Sequence, residues 1–111
     1  MKVYDLFYNA KAPEGIEKKK AYIVGGGLAG LAAAAFLADD IHMPGKNITI
    51  FEKMTDVGGS MDGTGDAVKG YLCRGERELE PFMECLWYLC SKAPSLRNKG
   101  RTALDDVVDF N

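Results

Sequence analysis

The chain has 111 residues, of which 47% are hydrophobic and 27% charged, and its formal net charge is −2 at pH 7. That length accommodates one small domain with a modest core, and the composition is that of a globular protein. Slight acidity, with no basic stripe interleaved with aromatics, gives no basis for a nucleic-acid partner. No apolar run reaches the length of a membrane span, and residues 1–20 do not read as a secretory leader.

Residues 1–20 mix the aromatics Tyr4, Phe7 and Tyr8 with polar residues and Pro13-Glu14-Gly15. They read as an irregular arm packing over the domain or a partner subunit. Lys18-Lys19-Lys20 reads as a solvated entrance to a strand rather than a membrane anchor. Ala21-Tyr22-Ile23-Val24 then forms a buried strand over 21–25, and Leu31, Ala32, Ala35 and Phe36 recur at helical spacing within a helix over 28–40. His42-Met43-Pro44-Gly45 ends that helix, with His42 as a helix C-terminal cap or packing residue. Residues 47–52 form a second strand. The expected architecture is α/β: a partial Rossmann-like parallel βαβ unit with a glycine-rich loop and a following helix.

Between the first strand and helix stands Gly25-Gly26-Gly27-Leu28-Ala29-Gly30, a Gly-x-Gly-x-x-Gly turn. Gly25 allows the sharp exit from the strand, Gly27 lets phosphate oxygens approach the backbone, and Gly30 lets helix and sheet pack closely. The first helical N–H groups, at Leu28, Ala29 and Gly30, and the helix dipole then favour a pyrophosphate. Glu52, at the end of the second strand, can accept hydrogen bonds from ribose hydroxyls. Lys53, four further residues, and Gly58-Gly59-Ser60 follow, and the second glycine pair brings more backbone N–H groups near the diphosphate.

Residues 53–70 are rich in glycine and read as a loop folded over the ligand, with Tyr71-Leu72-Cys73 as a short strand. A second helix is expected from Glu78 to Lys92, with Leu79, Phe82, Met83, Leu86 and Cys90 on one apolar face and Pro81 tolerated in its first turn. Pro94 stops it, and a short helix follows at 104–108. Trp87 reads as a packing residue, and Met54, Met61 and Met83 as fillers of the core or lining of the cofactor loop. Cys73, Cys85 and Cys90 show no metal-ligand spacing and read as reduced core thiols of a cytosolic protein. One histidine supports neither a Ser-His-Asp triad nor a metal site.

The arrangement of Gly25 to Gly30, Glu52-Lys53 and Gly58-Gly59 resembles the FAD-binding start of the two-dinucleotide-binding flavoproteins. Within them, the chain from about Pro13 to Asn111 resembles the amino-terminal part of the oleate hydratases, also called the myosin-cross-reactive antigen family. His42-Met43-Pro44-Gly45, Gly58-Gly59-Ser60-Met61-Asp62-Gly63, Arg74-Gly75-Glu76-Arg77-Glu78, Glu84-Cys85-Leu86-Trp87 and Pro94-Ser95-Leu96 carry that resemblance. It implies residues 1–20 as an arm and 21–111 as the first part of an FAD-binding domain of a longer enzyme.

The resemblance further implies hydration of the cis-9 double bond of unsaturated fatty acids, oleate and linoleate, to 10-hydroxy products, with FAD bound but no net redox change. It assigns Glu78 to activation of the attacking water, Arg74 and Arg77 to a loop that contacts the flavin, and the proton donor to a tyrosine further along the family sequence. It also implies a cytoplasmic homodimer drawing substrate from lipid surfaces. Where the family has a glycine this chain has Glu76, which adds bulk and charge beside the flavin. Two other readings stay open: a redox flavoprotein related to amine oxidases or desaturases, and a non-catalytic nucleotide-binding fragment.

Overall fold

The strand, helix and strand expected from the sequence form a parallel βαβ unit in the computed structural model, which describes residues 11–75 and 78–110. The expected arm aromatics Tyr4, Phe7 and Tyr8 lie outside the described residues. The chain divides into two units between Arg77 and Glu78.

In the first unit, Ile16–Lys18 makes a single 3-10 turn that buries Ile16, and Lys18, Lys19 and Lys20 are exposed ahead of the first strand. Strand β1 (Ala21–Val24) pairs in parallel with β2 (Ile48–Phe51), Ala21 opposite Ile48 and Val24 opposite Phe51. Gly25 adds one more bond, its N–H donating to Phe51 O at 2.7 Å. Side chains alternate along both strands, as strand geometry requires. Ala21, Ile23, Ile48 and Ile50 are half-buried on the side of α1 (Leu28–Asp39), while Tyr22, Val24, Thr49 and Phe51 are exposed on the other face. The Tyr22 and Phe51 rings stack there, 6.2 Å between centroids.

Helix α1 is apolar around its whole circumference, and Leu31, Ala32, Ala35 and Phe36 are half-buried as their spacing implies. Its end is made by backbone: Asp40 and Ile41 N–H donate to Phe36 O at 2.9 and 3.2 Å, and Met43 N–H to Leu37 O at 2.9 Å. His42 takes φ 57° and is exposed, and Met43 beside it is buried. The role of His42 is thus a left-handed backbone position, not packing. Across the next turn, Asn47 Nδ2 donates to Glu17 O at 2.8 Å, tying the Ile16 turn to the start of β2.

The stretch expected to be loop, residues 53–70, is partly strand. β3 (Gly63–Asp66) pairs antiparallel with β4 (Gly70–Cys73), and every residue of both is exposed. Apolar alternation is missing from Gly-Thr-Gly-Asp, so no periodicity announced it. The turn itself was the available signal: Asp66 Oδ1 accepts N–H groups of Val68 and Lys69 at 2.9 and 2.8 Å, and a glycine follows.

In the second unit, α2 spans Glu84–Lys92 rather than starting at Glu78. Pro81 disfavours helical geometry at Glu80, and residues 80–83 instead form a turn with Met83 N–H on Glu80 O at 3.1 Å. Leu79 and Phe82 are therefore exposed rather than part of a helix face. Tyr88 is the buried anchor of α2, with Lys92 Nζ 4.1 Å from its ring centre, and Trp87 Nε1 donates to Glu80 O at 3.0 Å. The helix stops before Pro94, and α3 (Ala103–Phe110), longer than expected, packs against it. Thr102 and Asp105 cap α3 reciprocally: Asp105 N–H donates to Thr102 Oγ1 at 3.2 Å, and Thr102 N–H to Asp105 Oδ2 at 2.8 Å.

The cysteines are free thiols, but Cys73 and Cys85 are exposed, contrary to the expectation of core positions, because β4 lies on an open hairpin and Cys85 on the outer side of α2. Cys90 alone is half-buried, and desolvation pushes its thiol pKa up. Met54 and Met61 are exposed too, and among the described residues the buried methionine is Met43. No helix among the described residues is long and apolar enough to cross a membrane.

A Cβ added to Gly30 would sit 2.1 Å from Gly25 O and 3.2 Å from Ile23 Cγ2. Alanine in place of a helical glycine ordinarily stabilises by about 1 kcal/mol, but this contact is with backbone and cannot be relieved by a rotamer. Gly30→Ala should therefore lower stability by about 1–3 kcal/mol, the usual cost of overpacking, read from chemical unfolding. A gain in stability would show that α1 does not rest on the Gly25 turn.

Candidate functional site

The turn out of β1 works because Gly25 takes φ 102°, a conformation that side-chain-bearing residues avoid. The chain then meets the second glycine segment backbone to backbone. Gly58 N–H donates to Gly26 O at 2.8 Å, Gly27 and Gly58 form a parallel bridge, and a Cβ on Gly59 would lie 3.0 Å from Gly27 Cα. Helix α1 starts directly from this contact, with Gly27 as N-cap and Leu31 N–H on Gly27 O at 3.0 Å. The N–H groups of Leu28, Ala29 and Gly30 have no intrahelical acceptor, no side chain caps them, and the first turn carries no acidic residue. The positive end of the helix is thus left for an anion.

Glu52 follows β2 immediately. Its Oε2 accepts Gly26 N–H at 2.6 Å and its Oε1 accepts Met54 N–H at 2.8 Å. Those amides, Met54 first and Gly26 next, hold the carboxyl below the usual glutamate range, against the opposing effect of desolvation. Each carboxylate oxygen keeps further acceptor capacity.

Beside Glu52 opens a cleft of about 510 Å³, bounded also by Gly59, Ser60, Asp62, Thr64 and Arg74. That volume is in the range of small-molecule sites. Arg74, at the end of the hairpin, pairs with Asp62, Nε to Oδ1 at 3.0 Å.

The structure therefore brings together Gly25, Gly27, Leu28, Ala29, Gly30, Glu52, Gly58 and Gly59 around the turn, and of the expected residues Glu52, Gly59, Ser60 and Arg74 line the cleft. Lys53 is exposed and does not line it. Arg77, with Glu76, lies outside the described residues. Glu78 belongs to the second unit, where it is exposed and outside regular structure. Sequence reasoning missed Gly26 and Asp62. Gly26 is buried, and a Cβ there would meet Glu52 Oε2 at 3.0 Å and Val57 Cγ1 at 3.2 Å. The middle glycine of three was the signal. Asp62 carried no such signal, because the Gly63–Cys73 pairing is what brings it beside Arg74. Among the described residues no cluster of His, Cys, Asp and Glu is placed to hold a metal ion.

The Glu52 contacts carry a pH dependence. A carboxyl whose folded pKa is depressed contributes stability above its unfolded pKa, and that contribution is lost as pH falls through the lower folded value. Amide-exchange protection at Gly26 and Met54 should accordingly decline on acidification through and below the ordinary glutamate range. Glu52→Gln should show the reduced protection already at neutral pH, because an amide group replaces one acceptor oxygen. Unchanged protection in that variant would remove Glu52 as the clamp.

The model of the MCRA family matches residues 18–111. The chain is 47% identical over 103 residues to an oleate hydratase of Streptococcus pyogenes serotype M49 (strain NZ131), an alignment covering 93% of this chain and 18% of that protein. It is 33% identical over 109 residues to a linoleate hydratase of Lactiplantibacillus plantarum, covering 85% of this chain and 19% of that protein. It thus spans less than a fifth of the length of these curated relatives. With the match running from ahead of β1 through α3, the chain belongs to the MCRA family.

Proposed function

We propose that this chain is the amino-terminal, FAD-binding part of a fatty-acid hydratase that adds water across the cis-9 double bond of oleate to give 10-hydroxystearate, with linoleate as a related substrate. The observation that carries the reading is the side-chain-free cradle in which the Gly25 turn and Gly58-Gly59 touch at the uncapped start of α1. Such a cradle suits a diphosphate: the donors are backbone amides, and a Cβ at Gly30 or Gly59 would collide with the Gly25 or Gly27 backbone and force the cradle apart. The names of the two relatives support the substrate class.

On this reading residues 21–111 are the first part of the FAD-binding domain and residues 1–20 its arm. Gly25, Gly27, Leu28, Ala29, Gly30, Gly58 and Gly59 hold the pyrophosphate. Glu52, with Lys53 beside it, serves the ribose, and Ser60, Arg74 and Arg77 complete the cofactor set. The working enzyme is a cytoplasmic homodimer that meets its substrate at lipid surfaces.

Hydration balances without electrons: the π bond and one O–H bond of water break, a C–H bond forms at C9 and a C–O bond at C10. FAD, when bound, supplies a binding surface and no net redox change. Glu78 takes the proton of the incoming water on its carboxylate, and its negative charge stabilises the cationic carbon that develops as the alkene is protonated. No residue described here is assigned as the donor of the C9 proton.

The full-length protein should copurify with FAD and convert oleate to 10-hydroxystearate. Glu78→Gln should lower kcat by about 100-fold or more, the scale of general-base catalysis, with FAD affinity little changed. Undiminished turnover would reject Glu78, and a full-length protein indifferent to FAD would reject the cofactor. Stoichiometric reduction of the flavin by fatty acid would make the protein a redox enzyme instead.

A further inference from the structure

Asp62 stands one residue ahead of β3 and joins three parts of the cleft. Its N–H donates to Gly59 O at 3.2 Å, and its Cα lies 3.4 Å from where a Cβ on Gly58 would be. Its carboxylate receives the Arg74 guanidinium from the side, Nε at 3.0 Å and Nη2 at 3.5 Å. The acid is the fixed partner: the Asp62 side chain is 23% exposed and that of Arg74 67%.

The charges around the cleft explain why this matters. Among the described residues lining it, Glu52, Asp56 and Asp62 are acidic and Arg74 is the one cation. An anionic ligand entering here depends on where that single positive charge is held. A guanidinium has five N–H donors in one rigid plane. The side-on pairing with Asp62 occupies one on Nε and one on Nη2, fixes the plane, and leaves three for a second anion.

We propose that Asp62 is a positioning residue for the cofactor: rooted on the Gly58-Gly59 backbone, it holds the Arg74 guanidinium at the cleft with three donors to spare for the phosphate groups of FAD. This rests on the reading of the cleft as an FAD site. Without Asp62 the Arg74 guanidinium, 67% exposed, would lose the two side-on bonds that fix its plane.

The test is FAD titration of the flavin-stripped full-length protein, followed by flavin fluorescence, with wild type measured first. Asp62→Asn should weaken FAD about tenfold, the scale of one hydrogen bond between charged groups, and Asp62→Glu should restore most of the affinity. In an Arg74→Ala background, Asp62→Asn should change affinity less than about twofold, the mark of a residue acting through its neighbour. In the flavin-free protein, the Arg74 Nε–H should exchange with water faster in Asp62→Asn than in wild type. Equal losses from Asp62→Asn in both backgrounds, no loss at all, or an unaltered Arg74 exchange rate would each overturn the assignment. A wild type that fails to bind FAD would fail the cofactor reading itself, and this inference with it.

Discussion

Gly26 is held through both its N–H and its C=O, and the site is organised around it. Its N–H is donated to Glu52, at the end of β2, and its C=O accepts from Gly58, in the loop that follows. The stretch from Glu52 to Gly58, about thirty residues downstream, is thereby pinned to the two peptide groups that flank Gly26. A charge-assisted bond of 2.6 Å is among the stronger contacts a protein makes, and this one works at short range because no side chain intervenes. The turn is consequently preformed. Its free amides at the start of α1 need no rearrangement to face an anion, which lowers the ordering cost of binding.

That pin also defines the electrostatic character of the cleft. Carboxylates outnumber cations along its wall, yet the family reading gives it a diphosphate-bearing ligand. The conflict is resolved by distribution. Glu52 spends its charge on two backbone amides, and Asp62 spends its own on Arg74, so neither presents a bare anion. Among the described residues lining the cleft Asp56 adds a further carboxylate, and attraction is left to the outer donors of Arg74.

Much of this was legible in the residues. The Gly-x-Gly-x-x-Gly turn, Ala21-Tyr22-Ile23-Val24 and Ile48-Thr49-Ile50-Phe51 define the βαβ unit because strand, turn and helix each demand a different pattern, and the patterns abut. Of the hairpin at Gly63–Cys73 the second strand was legible, at Tyr71-Leu72-Cys73, and the first was not, since its stability comes from backbone pairing and an Asp66 turn rather than a buried face. The start of α2 was misplaced because apolar spacing continues through Leu79 and Phe82, while Pro81 bends the chain before the helix can begin. The Asp62–Arg74 pair could not be read from spacing, because it depends on the hairpin register that brings residues 62 and 74 side by side.

The face of the β1–β2 sheet opposite α1 has a consequence of its own. Val24 is 89% exposed, with Tyr22 and Phe51 beside it, and among the described residues β1 and β2 pair with each other alone. An exposed apolar sheet face is a surface for another element to pack on. A face of this kind calls for a covering layer, and until one packs on it the βαβ unit carries apolar surface that favours association.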